Sequence, residues 1–208
     1  MGRKARLLKK LGVRLLPCSA RSDAGAGVLE PELLAFDAMD LRFVRSADVS
    51  AAQMDELFEL LRTNMRDHYE ASDWGWDDAE KREELQHADA RYVLAVRADD
   101  GKIAAFAHFR FEPDDDGAPE RAVLYVRELQ IAESSRRRGL ASKMMALLHT
   151  VALRLALDAV MLTVFKTNYG ACRLYRDALA YAVDGDDPSR NGDGDACFFI
   201  LSKSVDDP

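Results

Sequence analysis

Residues 128–143 read Glu128-Leu129-Gln130-Ile131-Ala132-Glu133-Ser134-Ser135-Arg136-Arg137-Arg138-Gly139-Leu140-Ala141-Ser142-Lys143. An apolar strand enters a loop, and the loop opens an amphipathic helix. Backbone N–H groups, the positive end of the helix dipole and three guanidinium groups converge on one point, which predicts a pyrophosphate site. Gly139 lets the backbone come close to the phosphates. A solvated basic loop before a helix is the alternative interpretation of the same residues.

On both sides of this stretch, the spacing of apolar residues predicts further helices and strands. Ser50 is expected to cap the first helix, and Asp99-Asp100-Gly101 to turn a hairpin. An antiparallel meander then runs into a βαβ unit, so we expect an α/β fold with a mixed sheet and helices on both faces. The predicted strands are 41–45, 92–97, 103–111, 123–131, 160–165 and 197–203, and the predicted helices are 54–65, 77–87, 140–155 and 171–179.

The length of 208 residues suits one domain with tails. We predict a basic, flexible N-terminal tail at 1–38, a single domain at 39–204 and a C-terminal tail at 205–208. The first 22 residues contain seven Lys or Arg and no acid, so the remaining residues carry 22 basic and 36 acidic groups, a net charge of −14. This acidity argues against nucleic acid binding by the folded domain and favours a cationic partner such as a basic peptide.

Composition excludes several other classes of protein. Hydrophobic residues make up 48% of the chain, which excludes a wholly disordered protein. The longest run without an acidic or basic side chain, 144–153, is about half the ~20 residues of a membrane-spanning helix, so no membrane partner is expected. Three widely spaced cysteines indicate neither a disulfide framework nor a zinc site, and we expect no metal. The basic tail fits nuclear targeting, a plain solvated tail or organelle import.

A second motif adds to the loop. Arg136-x-x-Gly139-x-Ala141 after a strand, followed by another strand and then Asn168-x-x-Ala171-x-x-x-Tyr175, resembles the acetyl-CoA signature of the GCN5-related N-acetyltransferase (GNAT) superfamily. The resemblance implies the GNAT fold, a central, mostly antiparallel twisted sheet with a βαβ cofactor half, and acetyl-CoA as cosubstrate. It also implies three sets of cofactor-binding residues: Leu129, Gln130 and Ile131 for the pantetheine arm; Arg136, Arg137, Arg138, Gly139, Leu140, Ala141 and Ser142 for the pyrophosphate; and Asn168.

A more specific resemblance covers most of residues 61–201. Ser72-x-Trp74-Gly75-Trp76, Lys81-Arg82-Glu83-Glu84, Phe106-x-His108-Phe109-Arg110-Phe111 and Leu162-Thr163-Val164-Phe165-Lys166 are similar to blocks of the D-type N-terminal acetyltransferases (NatD). That family transfers acetyl from acetyl-CoA to the α-amine of Ser-Gly-Arg-Gly termini of histones H-four and H-two-A. The resemblance therefore implies an acyltransferase with histone N-terminal peptides as substrate, in the nucleus and cytoplasm, and we expect a monomer.

Two residues carry the catalytic roles that the resemblance implies. Glu128 matches the essential glutamate, a general base acting through water. An α-amine has a pKa near ~8 and must lose a proton before it attacks a thioester, so the reaction needs a base. Tyr175 stands at the general-acid position of the superfamily, but the animal enzymes of NatD type carry Phe there, and packing of the helix is the alternative role.

Seven residues match substrate-contacting positions, and some depart from the pattern. Arg127 replaces a tyrosine, so its side chain points away, pairs with one of Asp114, Asp115 and Asp116, or changes the peptide preference. Phe198 also replaces a tyrosine, and Glu112 replaces the aspartate that holds the arginine of the substrate. The predicted substrate-binding residues are Tyr69, Trp74, Glu112, Tyr125, Arg127, Thr163 and Phe198.

Three functions remain open on the sequence. The first is the N-terminal acetyltransferase, with direct attack in a ternary complex, because no activated Cys or Ser is apparent. The second is a lysine or small-amine acetyltransferase on the same fold. The third is a catalytically silent module that binds CoA or peptide, against which the presence of both Glu128 and the loop motif argues.

Overall fold

Eight strands and four α-helices make up the part of the chain that the computed structural model describes, residues 34–114, 121–190, 192 and 194–207. The strands are β1 (Ala35–Phe36), β2 (Met39–Arg45), β3 (Arg91–Arg97), β4 (Ile103–Asp114), β5 (Arg121–Ile131), β6 (Ala159–Phe165), β7 (Ala182–Val183) and β8 (Phe198–Ser204). The helices are α1 (Ala51–Glu70), α2 (Asp78–Gln86), α3 (Leu140–Arg154) and α4 (Tyr169–Cys172), and a π-helix (Arg173–Ala178) continues from α4.

All eight strands belong to one sheet, in the order β1-β2-β3-β4-β5-β6-β8-β7. Strands β5 and β6 are parallel, and the other neighbours are antiparallel. Helix α3 makes the crossover between the two parallel strands, as parallel pairing requires. The predicted α/β fold with a mixed, mostly antiparallel sheet is therefore confirmed.

Helices α1 and α2 cover one face of the sheet. Ser50 caps α1 in a capping box with Gln53, as predicted for Ser50, and Asp77 accepts hydrogen bonds from two backbone N–H groups at the start of α2. Apolar residues of α1 recur every three or four positions, so they form one stripe that packs on β3 and β4. This first core contains Met54, Leu57, Phe58, Leu61, Leu85, Tyr92, Leu94 and Phe106.

Helix α3 covers the opposite face, which confirms helices on both sides of the sheet. Its buried stripe contacts side chains of β5 and β6. The helix begins after Gly139, whose φ of 82° lies in the left-handed region that favours glycine. The second core includes Leu124, Val126, Leu140, Met144, Leu148, Val151 and Leu162.

A β-bulge interrupts the pairing of β4 and β5. His108 lies opposite Glu128 and Phe109 lies opposite Val126, so Arg127 is the extra residue. Before the bulge, Leu124 and Val126 face α3. After it, Glu128 lies opposite His108 and faces the side of α1 and α2, because side chains alternate along a strand and the extra residue inverts the alternation.

Beyond the same point, β5 and β6 separate. Their register runs from Val123 opposite Ala159 to Val126 opposite Leu162, and the described residues show no further pairing between them, although both strands continue. The gap between the diverging strand ends is where the sheet can admit a ligand.

Several predicted boundaries differ from the structure. Strand β1 lies within the range 1–38 predicted as tail, and Val205 is buried in the core although 205–208 was predicted as tail. The helix predicted at 171–179 consists of a short α4 followed by a π-helix. Most of the predicted basic tail (1–33) and residues 115–120, between β4 and β5, lie outside the described residues, as does Pro208.

Among the described helices, none combines the length and the apolar character that crossing a membrane requires.

The first prediction tests the packing of α1. Leu57 is fully buried, whereas Leu60 on the same helix is only partly buried. We expect Leu57→Ala to lower the free energy of unfolding by about 2–5 kcal/mol, because the cavity cannot collapse fully, and Leu60→Ala to lower it by less. Urea denaturation at unchanged slope measures both values. Equal losses for the two variants would contradict this packing.

Candidate active site

Two adjoining cavities open where β5 and β6 separate. The first, about 550 Å³, is here called the carboxylate cavity and is lined by Tyr69, Glu80, Lys81, Glu84, His108, Glu128 and Thr163, among others. The second, about 790 Å³, is here called the arginine cleft and is lined by Arg136, Arg137, Gly139, Ser142 and Arg173, among others. Both are bounded by Met65, Leu129, Gln130, Asn168, Ala171 and Tyr175.

The arginine cleft is built on the loop that precedes α3. Arg137 has a φ of 62° and Gly139 a φ of 82°, so two left-handed residues turn the chain sharply into the helix. The helix is 15 residues long, and its N-terminus supplies backbone N–H groups and a positive dipole end to the cleft. Ten of the eleven predicted cofactor residues line this cleft: Leu129, Gln130, Ile131, Arg136, Arg137, Gly139, Leu140, Ala141, Ser142 and Asn168.

Arg138 is the eleventh residue, and its side chain is engaged outside the cleft. Its guanidinium pairs with the carboxylate of Asp37, in the turn between β1 and β2, and it does not line the cleft. Phe36 of β1 also lies 3.7 Å from the position that a Cβ would take on Gly139. The loop is therefore held from outside by β1 and the turn after it, a segment that the sequence assigned to the tail.

Asn168 and the end of β5 complete the cleft. The side chain of Asn168 caps α4 by accepting a hydrogen bond from the backbone N–H of Ala171 at 3.2 Å. The carbonyl of Ile131 accepts hydrogen bonds from Asn64 Nδ2 at 3.2 Å and from Arg136 Nε at 3.1 Å. The strand edge predicted to pair with a pantetheine arm thus faces the cleft, and its last carbonyl is bonded within the protein.

Glu128 is the buried acid of the carboxylate cavity. Glu128 is 9% exposed, and Gln130 Nε2 donates a hydrogen bond to Glu128 Oε2 at 2.8 Å. Burial raises the pKa of Glu128 to about 7, although the Gln130 hydrogen bond and the charge of Lys81 oppose the rise. A carboxyl group with this pKa exchanges protons near neutral pH, as a general base must.

Tyr69 and Lys81 form a buried polar pair beside Glu128. Lys81 Nζ lies 3.1 Å from the Tyr69 hydroxyl and 2.9 Å from Glu84 Oε2. Burial and the charge of Glu128 raise the pKa of Tyr69 to about 12, so its hydroxyl stays protonated. Burial lowers the pKa of Lys81, but Tyr69 and Glu84 outweigh that effect and the net shift is upward. Lys81 therefore stays charged and places a positive charge near the acid.

His108 is a residue of the cavity that the sequence analysis did not assign to the site. It is 1% exposed, and neither ring nitrogen has a hydrogen-bond partner among the described atoms. Burial and the charges of Arg110 and Arg127 lower the pKa of His108 to about 3, so its imidazole is neutral. Lys81 was missed in the same way as His108. Both residues lie in the sequence blocks that resemble NatD, but a sequence block does not say which side chains face a cavity.

An aromatic cluster closes one side of the carboxylate cavity. The ring of Phe165 lies 4.9 Å from that of Tyr69 and 5.2 Å from that of Trp74. Phe198 packs behind Trp74 at 4.9 Å and does not itself line the cavity. Trp74 remains half exposed, so it lies at the rim. The predicted substrate residues Tyr69 and Trp74 line the cavity, whereas Phe198 supports the wall.

Arg127, on β5, forms an ion pair with Glu112 on the neighbouring strand β4. Arg127 Nη2 donates to Glu112 Oε1 at 2.7 Å, a partner that the sequence alternatives did not name, and Arg127 also lines the cavity. Glu112 is held in this ion pair and is not among the residues that line the cavity, so its predicted contact with the arginine of the substrate requires release from Arg127. Tyr125 and Thr163 both line the cavity, and their hydroxyl oxygens lie 2.5 Å apart.

Tyr175 lies on the boundary shared by the two cavities. The π-helix places its side chain there, 7% exposed and with its ring 6.0 Å from that of Tyr181. Burial raises the pKa of Tyr175, so the phenol is protonated at neutral pH. The arrangement therefore offers a proton acceptor, Glu128, and a proton donor, Tyr175, on neighbouring walls.

The part of the chain that the structure describes contains no cluster of three or more His, Cys, Asp or Glu side chains that could hold a metal ion.

Known proteins share this fold. Acetyl-CoA-bound NAA60 of Arabidopsis thaliana is 14% identical with a TM-score of 0.57, covering 79% of this chain and 98% of that chain. A chain of the NatC complex bound to Gag peptide and CoA is 15% identical with a TM-score of 0.57, covering 80% and 99%. An acyl-CoA N-acyltransferase from Pseudomonas aeruginosa is 15% identical with a TM-score of 0.57, covering 79% and 99%.

The sequence profile of the Acetyltransferase (GNAT) family matches residues 54–181, which include both cavities' principal residues on α1, α2, β5, α3 and the π-helix. This range is more than half of the chain. The predicted GNAT fold is thereby confirmed, and the chain belongs to the Acetyltransferase (GNAT) family.

Proposed function

We propose that this protein transfers the acetyl group of acetyl-CoA to the α-amine of a peptide N-terminus. One observation carries the proposal: an arginine-lined cleft on a helix N-terminus joins a cavity whose wall holds a buried carboxyl group of pKa about 7. A donor bound in the cleft and an amine bound in the cavity would meet at their shared boundary.

The arginine cleft suits acetyl-CoA. Its backbone N–H groups, Arg136 and Arg137 match a pyrophosphate in charge, and the diverging strands leave room for the narrow arm beside Leu129. The similar structures of NAA60 with acetyl-CoA and of NatC with CoA agree with this assignment. When bound, acetyl-CoA supplies a thioester that an amine can attack directly.

Glu128 is the general base in this proposal. An ammonium cannot attack, and its pKa of ~8 lies close enough to that of Glu128 for proton transfer at neutral pH. The proton passes from the amine to the carboxylate, directly or through a water. Tyr175, protonated and on the boundary of the two cavities, is placed to return a proton to the departing thiolate.

The acceptor is proposed to be a peptide with a small first residue and basic residues after it. The aromatic wall of Tyr69, Trp74 and Phe165 narrows the cavity, and Glu80 and Glu84 add carboxylates to its lining. Histone N-termini of the Ser-Gly-Arg-Gly type meet both requirements, and the NatD-like blocks in the sequence favour them. We therefore propose a histone N-terminal acetyltransferase that acts in the nucleus and cytoplasm.

Peptide choice is expected to depend on Arg127. Its ion pair occupies Glu112, the residue at the position where NatD enzymes hold the arginine of the substrate. Recognition of that arginine would then fall to Glu80 and Glu84, which line the cavity from the side of α2.

The acceptor is tested with labelled acetyl-CoA and a Ser-Gly-Arg-Gly-Lys-Gly peptide, beside the same peptide with its α-amine blocked. We expect turnover on the free terminus alone. Equal turnover on the blocked peptide would show that the acceptor is the lysine side chain. No turnover on either would refute the histone assignment, and a library of free N-terminal peptides would then separate another terminus from a silent module.

The base is tested with Glu128→Gln. We expect kcat to fall by about 10²–10⁴-fold, because the amide cannot accept the proton. Because the pKa of Glu128 is raised to about 7, the carboxylate is protonated below that pH and ionised above it, so wild-type kcat should rise with pH through about 7. Glu59→Gln, on the exposed face of α1 and outside the lining of both cavities, is the control and should lose far less. Similar losses in both variants would contradict a specific role for Glu128.

The role of Arg127 is tested with Arg127→Leu, which releases Glu112. We expect the preference for Ser-Gly-Arg-Gly over Ser-Gly-Ala-Gly, measured as a ratio of kcat/KM, to rise roughly tenfold, as a regained charge-assisted hydrogen bond would give. Arg127→Lys retains the positive charge and should raise the ratio less. An unchanged ratio in Arg127→Leu would mean that Glu112 does not reach the peptide.

A further inference from the structure

A continuous chain of hydrogen bonds connects the arginine cleft with Glu128. Arg136 Nη2 donates to Asn64 Oδ1 at 2.6 Å, Asn64 Nδ2 donates to Gln130 Oε1 at 3.0 Å, and Gln130 Nε2 donates to Glu128 Oε2 at 2.8 Å. Asn64 comes from α1, whereas the other three residues come from β5 and the loop after it. It is therefore the one member that bridges two separate segments of the chain.

Arg136 and Glu128, the two end groups of this series of hydrogen bonds, fix the direction of every bond between them. A guanidinium can only donate hydrogen bonds, and an ionised carboxylate can only accept them. The amide oxygen of Asn64 must therefore face Arg136, and the amide nitrogen of Gln130 must face Glu128. All dipoles then point the same way, from the positive group toward the negative one, and such aligned bonds strengthen one another.

Both polar atoms of the Asn64 side chain are hydrogen-bonded within the protein. Its oxygen accepts from Arg136, and its nitrogen donates to both Gln130 and the carbonyl of Ile131, at 3.0 and 3.2 Å. Gln130 is 5% exposed, so a change at Asn64 would leave a buried amide oxygen without its partner. The buried amide would then be free to turn away from Glu128.

We propose that Asn64 is a positioning residue, which orients Gln130 and through it holds the carboxylate of Glu128 in the geometry and protonation state that the reaction needs. The inference rests on the proposed function of Glu128 as base. The proposal also gives Arg136 a second role: it lines the cleft, and its positive charge polarises the hydrogen bonds that lead to Glu128.

Other charged and titratable groups also face Glu128, and the test must hold them constant. They come from α1, α2, β3, β4, the bulge and the π-helix: Tyr69, Lys81, Glu84, Tyr92, His108, Arg110, Arg127 and Tyr175. None of these residues is altered in the variants of this test.

The test uses Asn64→Leu, whose side chain branches at Cγ as that of Asn does but cannot hydrogen-bond. The bond from Gln130 lowers the pKa of Glu128, so its loss raises that pKa. We expect the rise of kcat with pH to move upward by roughly half to one pH unit, with most activity recovered at high pH. A loss of activity that is equal at every pH would mean that Asn64 acts only on folding or packing, and would overturn the proposal.

Two arginines of the same loop supply a matched pair. Arg136→Met removes the first donor in this series of hydrogen bonds. It should shift the pH profile in the same direction as Asn64→Leu. Arg137→Met should raise KM for acetyl-CoA and leave the midpoint of the profile in place, because no described hydrogen bond joins Arg137 to Asn64. Equal shifts in the two arginine variants would show a general effect of charge. They would contradict the proposal that the hydrogen bonds through Asn64 act on Glu128.

A second readout does not depend on turnover. In the protein without acetyl-CoA, the side-chain amide resonances of Gln130, assigned with Gln130→Met, should titrate with Glu128 in ¹⁵N spectra. Their midpoint should rise in Asn64→Leu, and an unchanged midpoint would overturn the proposal. If wild-type protein acetylates no peptide, the proposed function fails, while this titration still decides whether the chain of hydrogen bonds sets the pKa of Glu128.

Discussion

The bulge at Arg127 is the constraint on which the site depends. One extra residue inverts the alternation of β5, so Leu124 and Val126 face the core under α3, while Glu128 and Gln130 face α1 and α2. A regular strand would bury Glu128 under α3, among the side chains of the larger core. The pairing of β5 with β6 ends in the same region, and the two cavities open in the gap between these strand ends. A single local irregularity therefore orients the acid and opens the sheet.

Because Glu128 faces α1 and α2, it can accept a proton near neutral pH. Burial alone favours the neutral form of Glu128, and an isolated buried carboxylate would stay protonated over much of the neutral range. Lys81 and the hydrogen bond from Gln130 offset that cost, which leaves the pKa near 7. Two helices thus contribute to the acid from outside the sheet, α2 through a charge and α1 through Asn64. The site is therefore assembled from two consecutive helices and a strand that lies some way further along the chain.

The sequence allowed the sheet, the helix order and the arginine loop to be predicted, because these depend on local spacing of apolar residues, glycine and charge. It did not reveal the bulge, since a bulged and a regular strand have the same composition. The pairs Arg138–Asp37 and Arg127–Glu112 were missed for another reason: each joins residues that are brought together only by the folded sheet. His108 and Lys81 lie within motifs quoted from the sequence and Asn64 lies within the first predicted helix, but their roles depend on which way each side chain points.

The π-helix after α4 has a consequence for how this chain can vary. The hydrogen bonds of a π-helix span five residues instead of the four of an α-helix, and here the π-helix carries Tyr175 to the boundary of the two cavities. Deleting one residue between 173 and 178 would let the segment relax to an α-helix and rotate the residues after the deletion by about 100°. Tyr175 or its packing partner Tyr181 would then leave its place. The segment therefore tolerates exchanges of side chains more readily than changes of length, a restriction on insertions and deletions that comes from the backbone alone.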